Sequence, residues 1–338
     1  MIYRKKVLLL GGSFDPIHDG HLAIMKTAIK QERASEGWFV LAQQAPLKTM
    51  EQLSFEQRAN MIKQMISPYR KLKLCTIEKD LPLPNYTINT IQALQAMYSD
   101  IEFVFLMGSD QAENFTAWKD YKILLEKIKF LVYPRSEKRA IDSELFTPLE
   151  APLMDVSSTA IRQGLSVATS PKILSTMILQ GYYTREMLPQ FVDQDRMDHS
   201  LRVAKLAKEL AILHQIDPVK AHSAGLIHDL FKQKSTEEMI PYLTSAQQKN
   251  PAYLHHGYAL AQYLAKVYYI RDKAFLKAIF HHVEGNGTGK LAQILFIADK
   301  AEAGRPYETS GYRQLAKQNL TQAVKQIRQD IATYERNK

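Results

Sequence analysis

Gly11-Gly12-Ser13-Phe14-Asp15-Pro16-Ile17-His18-Asp19-Gly20-His21-Leu22 is the stretch whose reading decides the fold. The apolar run Val7-Leu8-Leu9-Leu10 before it reads as a buried strand, and Leu22-Ala23-Ile24-Met25-Lys26-Thr27-Ala28-Ile29 after it reads as a helix. A strand that ends in paired glycines and turns into a helix brings bare backbone N–H groups and a helix N-terminus to one point, where a phosphate fits. His18 and His21, three residues apart around Gly20, fall on one side of the first helical turn and can donate to the same phosphate oxygen.

The rest of the chain bounds this reading. Its 338 residues are too many for one ordinary domain and comfortable for two. Apolar residues make up 46% and charged residues 23%, a globular balance, and no apolar run approaches the length of a bilayer span. Arg4-Lys5-Lys6 precede an apolar run of only four residues that leads into the glycine pair, so this is a first strand and not a signal peptide. The single Cys75 excludes an internal disulfide framework and fits a reducing cytoplasm, which is the expected location. The net charge of +9 is spread without a basic block or basic-aromatic interleaving, which points to polyanionic small molecules and not to nucleic acid or membrane.

Further along the first half, Trp38-Phe39-Val40-Leu41 reads as a short buried strand. Ser54-Phe55-Glu56-Gln57 reads as a capping box opening a core-facing helix, and Lys73 to Glu78 alternates as a strand. Pro84-Asn85-Tyr86-Thr87 leads into another helix, with Thr87 as N-cap candidate. Glu102 to Gly108 is again a strand ending at glycine, with Asp110 two residues on. In an open α/β sheet the carboxyl ends of strands line the ligand crevice, so Gly108 and Asp110 are expected opposite the first glycine pair, with the carboxylate accepting from a ribose hydroxyl. Phe130 to Tyr133 is the next strand, leaving through Pro134-Arg135. Met154-Asp155-Val156 reads as a strand running into Ser157-Ser158-Thr159 at a helix N-terminus, with Arg162 one turn later as a charged clamp on a phosphate chain.

The string GG-S-F-D-P-x-H-x-G-H resembles the adenylyltransferase branch of the nucleotidyltransferase superfamily, and Ser157 to Arg162 resembles its I-S-S-T-x-I-R signature. The segment Pro84 to Thr90 resembles the P-x-Y-T-x-D-T of the nicotinate-nucleotide adenylyltransferases, with Asn89 for the aspartate. Pro46 and Lys48 match their Pro-Pro-His-Lys loop, with Leu47 for the histidine. The resemblance covers roughly residues 1–185 and implies a doubly wound parallel α/β sheet that joins ATP and nicotinate mononucleotide into deamido-NAD and pyrophosphate. On that pattern His18, His21 and Arg162 are catalytic. Gly11, Gly12, Ser13, Phe14, Gly108, Asp110, Ser157, Ser158 and Thr159 bind ATP with Mg²⁺, and Lys48, Tyr86, Thr87, Trp118 and Arg135 bind the nicotinate nucleotide. A different acceptor in the same fold, such as phosphopantetheine, is the rival.

The text turns polar around residues 184–195, which places a domain boundary at 188/189. Amphipathic helices follow without strand alternation, Asp217-Pro218 capping the one that carries Gly225-Leu226-Ile227-His228-Asp229. An adjacent His-Asp among apolar residues needs a partner, and a metal supplies it. With His199, His256, His282 and Asp299, the pair makes a ligand set for first-row transition metals, iron or manganese among them; His255 and His281 are alternatives to their neighbours. The order H…HD…H…H…D resembles the HD phosphohydrolase superfamily, and the local strings over roughly 193–310 look most like its bacterial symmetrical diadenosine-tetraphosphate hydrolases. That resemblance implies an all-α domain with a di-metal centre releasing two ADP, with Lys232 and Arg305 as phosphate partners. The glycine-rich Val283 to Gly289 departs from the family's Thr-Thr-Gly. Deoxynucleoside triphosphates or cyclic nucleotides are alternative substrates, and a non-catalytic regulatory or oligomerisation module is the alternative role. The oligomeric state stays open, a homo-oligomer included. Residues 312–338 read as one long amphipathic helix.

Overall fold

The computed structural model describes residues 4–43, 52–135, 144–152 and 154–337. The chain divides into two compact units, Met1–Ile161 with Ala168–Ser170, and Arg162–Val167 with Pro171–Lys338.

In the first unit β1 (Lys5–Gly12), α1 (Asp19–Gln31), β2 (Glu36–Leu41), α2 (Phe55–Ile66), β3 (Leu72–Cys75), α3 (Thr87–Met97), β4 (Ile101–Gly108), α4 (Ser109–Glu113), α5 (Tyr121–Lys127), β5 (Lys129–Tyr133), β6 (Thr147–Pro148) and α6 (Ser158–Arg162) succeed one another. The sheet order is β3-β2-β1-β4-β5-β6, all parallel, with Leu9 opposite Trp38 on one side and Phe105 on the other. This is the doubly wound arrangement, and its switch point falls between β1 and β4. Val7, Leu9, Trp38, Val40, Phe103 and Phe105 face a core closed by Ile88, Ile91 and Leu94 of α3. Leu8, Leu10, Phe39 and Leu41 are just as buried on the other face, which is why these strands read as unbroken apolar runs.

Most local expectations hold. Ser54 and Gln57 form the capping box of α2. Four differ. The strand at Lys73 stops at Cys75, and Ile77–Lys79 is a 3₁₀ turn. Tyr86, not Thr87, is the N-cap of α3, so Thr87 is its first helical residue. Among the described residues 154–157 there is no strand; the sixth strand is Thr147–Pro148, and the chain reaches α6 unpaired. The long terminal helix is two, because the Asn319 side chain accepts from Gln322 N and caps a new helix.

The second unit is helical: α7 (Pro171–Leu179), α8 (Thr184–Met187), α9 (Gln194–Leu213), α10 (Pro218–Ile227), α11 (Thr236–Met239), α12 (His255–Lys266), α13 (Lys273–His281), α14 (Lys290–Ala301), α15 (Ser310–Gln318) and α16 (Leu320–Arg336). Asp217 caps α10 through Val219 N and Lys220 N, with Pro218 at the first helical position. The turn to polar residues around 184–195 puts 171–188 before the domain boundary, but Leu174, Ile178, Met187 and Leu188 are buried in the helical core, and Ser223 of α10 donates to Ile178 O. No helix among the described residues is long and apolar enough to cross a membrane.

Candidate functional site

At the carboxyl end of β1 the chain turns through Phe14, at φ +48°, and enters α1 with His18 as N-cap. The His18 N–H donates to His21 Nδ1 at 3.3 Å, and the two rings stack with centroids 3.7 Å apart. A neutral ring that accepts at Nδ1 carries its proton on Nε2, so His21 is left with an Nε2–H. His18 is buried, and its Nδ1 has no partner. Burial, reinforced by the Arg135 charge, pushes its pKa down to about 4, so the ring is neutral near pH 7. The Phe14 ring is buried between Phe39 and His21, which leaves its backbone, not its ring, for a ligand.

Gly108, at the end of β4, lies beside Asp110 and Arg135. A Cβ there would stand 2.9 Å from Arg135 Nε, so glycine leaves both side chains room to lie against the end of β4. Arg135 Nε is 3.6 Å from Asp110 Oδ1, and its Nη2 donates to Tyr133 OH at 3.1 Å. Ser157 Oγ accepts from Ala160 N, and Ser158 Oγ donates to Pro16 O at 2.9 Å, so one hydroxyl caps α6 and the other ties down the turn before His18. Arg162 falls in the second unit, where its Nε donates to Glu186 Oε2 at 2.8 Å. Trp118 is half-buried against Phe105, Phe115 and Phe130. The Lys119 ammonium stands 4.6 Å over the Tyr86 ring. Lys48, with Pro46 and Leu47, lies outside the described residues.

The second constellation converges from α9, the end of α10, α12, the end of α13 and α14. His199, His228 and Asp229 form one group whose ligand atoms lie within 4.8 Å of one another, and Asp229, His256 and His282 form another. Asp229 Oδ1 is 3.1 Å from His256 Nε2 and 3.4 Å from His282 Nε2, while His199 Nε2 is 3.1 Å from Asp299 Oδ1. The helices aim these atoms through their own backbone: His228 Nδ1 donates to Gly225 O at 2.8 Å and His282 Nδ1 to Ile279 O at 2.7 Å, which turns each Nε2 towards the carboxylates. His228 Nε2 is buried without a partner, 3.6 Å from Asp229 Oδ2 and 3.7 Å from Asp299 Oδ1. Burial would raise the carboxyl groups of Asp229 and Asp299, but the charges and hydrogen bonds around them outweigh it, His228 foremost for Asp229 and Lys300 for Asp299, and hold both well below the usual range. Ionised carboxylates and an orphaned imidazole nitrogen in one buried cluster fit a divalent cation. His255, bonded to Asn250 O, and His281 stand outside both groups.

A cavity of about 140 Å³ at the cluster is lined by Asp229, His256, His282 and Asp299 together with the cationic side chains of Arg196, Lys232, Lys300 and Arg305. Lys232 and Arg305 both line it, and Arg305 also holds Asp299, Nη2 lying 2.6 Å from Oδ1. Sequence reasoning missed Arg196, 3.2 Å from Asp229 Oδ2, and Glu302, a buried carboxylate 3.2 Å from His199 Nδ1. The three-residue step from Asp299 to Glu302, one turn of one helix face, was the available signal for the latter.

Comparison with known proteins bears on both constellations. A cytidylyltransferase-like family model matches residues 9–164, and an HD-domain model matches residues 196–304. A Mycoplasma genitalium protein described as "Probable nicotinate-nucleotide adenylyltransferase/Ap4A hydrolase" is 31% identical over 337 residues, covering 95% of this chain and 96% of that one. A "Probable nicotinate-nucleotide adenylyltransferase" of Azobacteroides pseudotrichonymphae is 35% identical over 164 residues, 47% of this chain and 86% of its own. Among solved structures, a Clostridium acetobutylicum protein titled as a predicted HD superfamily hydrolase involved in NAD metabolism aligns with 41% of this chain and 78% of its own, at 33% identity and a TM-score of 0.38. The near-complete overlap with the Mycoplasma relative spans both units, and the chain belongs to the family of nicotinate-nucleotide adenylyltransferases that carry a C-terminal HD domain.

Proposed function

We propose that the first unit transfers the adenylyl group of ATP to nicotinate mononucleotide and that the second hydrolyses diadenosine tetraphosphate to two ADP, both in the cytoplasm. The first reading rests on the stacked His18–His21 pair at the start of α1. In the transfer, a phosphate oxygen of nicotinate mononucleotide attacks the α-phosphorus of ATP in line. The bond from that phosphorus to the bridging oxygen breaks, and pyrophosphate leaves with the electron pair. Neutral His18 and the Nε2–H of His21 donate to the α-phosphate as its charge grows. The backbone of Gly11 to Phe14 and the Ser157-Ser158-Thr159 turn hold the triphosphate with its Mg²⁺, Gly108 and Asp110 take the ribose, and Lys48, Tyr86, Thr87, Trp118 and Arg135 take the nicotinate nucleotide. Arg162, whose Nε donates to Glu186 Oε2, acts on the leaving pyrophosphate through its guanidinium edge. Purified protein given ATP, Mg²⁺ and either acceptor decides the assignment: pyrophosphate release with nicotinate mononucleotide supports it, and release only with phosphopantetheine overturns it.

The second reading rests on Asp229 belonging to both ligand groups, so that its carboxylate could serve two cations at once. His199, His228, His256, His282 and Asp299 complete the holders of an iron or manganese pair, which when bound would activate water and polarise a phosphorus. Arg305 fixes Asp299, and Lys232 faces the substrate phosphates from the cavity wall. Water adds to a phosphorus of the central anhydride, the bridging oxygen departs, and each half leaves as ADP. Metal content and product pattern of the full chain test this. Two ADP supports it, AMP with ATP refutes symmetrical cleavage, preference for deoxynucleoside triphosphates or cyclic nucleotides refutes the substrate, and a metal-free, inactive protein leaves a binding module.

A further inference from the structure

Arg58 belongs to none of the motifs, yet it is among the largest fully buried side chains, at 2% exposure. It projects from the first turn of α2, and its guanidinium donates from Nε to Leu53 O at 2.9 Å, from Nη1 to Ser13 O at 2.8 Å and Ala42 O at 2.9 Å, and from Nη2 to Gln43 O at 3.2 Å. These carbonyls belong to three segments: the turn after β1, the exit of β2 and the entry to α2. A planar guanidinium can meet them together from its fixed edges, while an ammonium, a point charge with three donors, cannot. The same turn is held at two more carbonyls, Pro16 O by Ser158 Oγ at 2.9 Å and Ile17 O by Thr169 Oγ1 at 2.8 Å. In a planar trans peptide the C=O and the following N–H point to opposite sides, so holding Ser13 O fixes the direction of the Phe14 N–H.

We infer that Arg58 is a positioning residue for adenylyl transfer, fixing the phosphate-binding turn after β1 against the exit of β2 without itself meeting the nucleotide. This rests on the adenylyltransferase reading above. A misplacement of about 1 Å at such a turn costs roughly 10²-fold in rate, so Arg58→Lys in the full chain lowers kcat by about that factor while ATP affinity falls by a clearly smaller one. Arg58→Ala loses more, and millimolar guanidinium restores a substantial part of its kcat where methylammonium does not. The measurements are pyrophosphate release under saturating nicotinate mononucleotide, and ATP affinity by titration. An Arg58→Lys protein with wild-type kcat overturns the inference, as does one whose kcat and ATP affinity fall equally. Failure of Arg58→Ala to fold leaves the decision with Arg58→Lys. A wild-type protein that releases no pyrophosphate with any acceptor instead fails the reading beneath, and the inference with it.

Discussion

Replacing Gly225 with alanine probes how the metal cluster is assembled. Gly225 lies where α10 crosses α9, and a Cβ on it would stand 2.5 Å from Ala204 Cα and 2.8 Å from Ala204 N. Non-bonded carbons rest about 3.5–4.0 Å apart, so the two backbones must part by roughly 1 Å; no flexible side chain is there to yield. His199 rides on α9, while His228 and Asp229 follow α10, and Gly225 O itself orients His228 Nδ1. The shift therefore opens the His199–His228–Asp229 group by several times the roughly 0.2 Å that metal–ligand distances tolerate. Overpacking costs about 1–3 kcal/mol, at roughly 2–4 °C in Tm per kcal/mol for a unit of this size. We expect Gly225→Ala to lower the midpoint of the helical unit by several degrees, and its Mn²⁺ affinity by about 10–100-fold in a chelator-competition titration. Adenylyl transfer should persist, because the atoms a Cβ on Gly225 would meet belong to Val203 and Ala204 of α9 and to none of the residues assigned to that reaction. A variant that melts with the wild type and binds Mn²⁺ as tightly would refute the reasoning.

His18→Ala and His21→Ala should each lower adenylyl-transfer turnover by about 10²–10³-fold with ATP affinity nearly intact, since bonds to developing charge count only in the transition state; equal losses in both would make the pair a ground-state binder. Because burial and Arg135 hold His18 down to about 4, it stays neutral above that pH, and the acid limb of kcat/KM belongs near 4 and not near the free-histidine value. Arg135→Gln removes the charge and should move that limb to higher pH; a wild-type limb near the free value would sink the assignment. Asp229→Ala, which removes the one residue common to both ligand groups, should abolish metal loading and diadenosine-tetraphosphate hydrolysis together; retention of two metal equivalents by mass spectrometry under native conditions would exclude a bridging role.

Much of this was legible before any coordinates. The strand–glycine–helix passage from Val7 to Ile29 specified β1, α1 and the phosphate turn, because apolar period, glycine and capping chemistry are local properties of the backbone. The same holds for the His-Asp pair after α10, whose burial among Leu226, Ile227 and Leu230 already demanded a partner. Boundaries slipped where a single residue decides them, as at Tyr86 and Asn319. Which neighbour joins the cluster, His256 over His255 and His282 over His281, depends on how far α12 and α13 are rotated against α10, and adjacent helical residues carry no local sign of that. Arg58 and Arg196 carried no sign for a related reason. Their partners lie 45 and 33 residues away, and the contacts that give them meaning exist only once the helices and the sheet have packed.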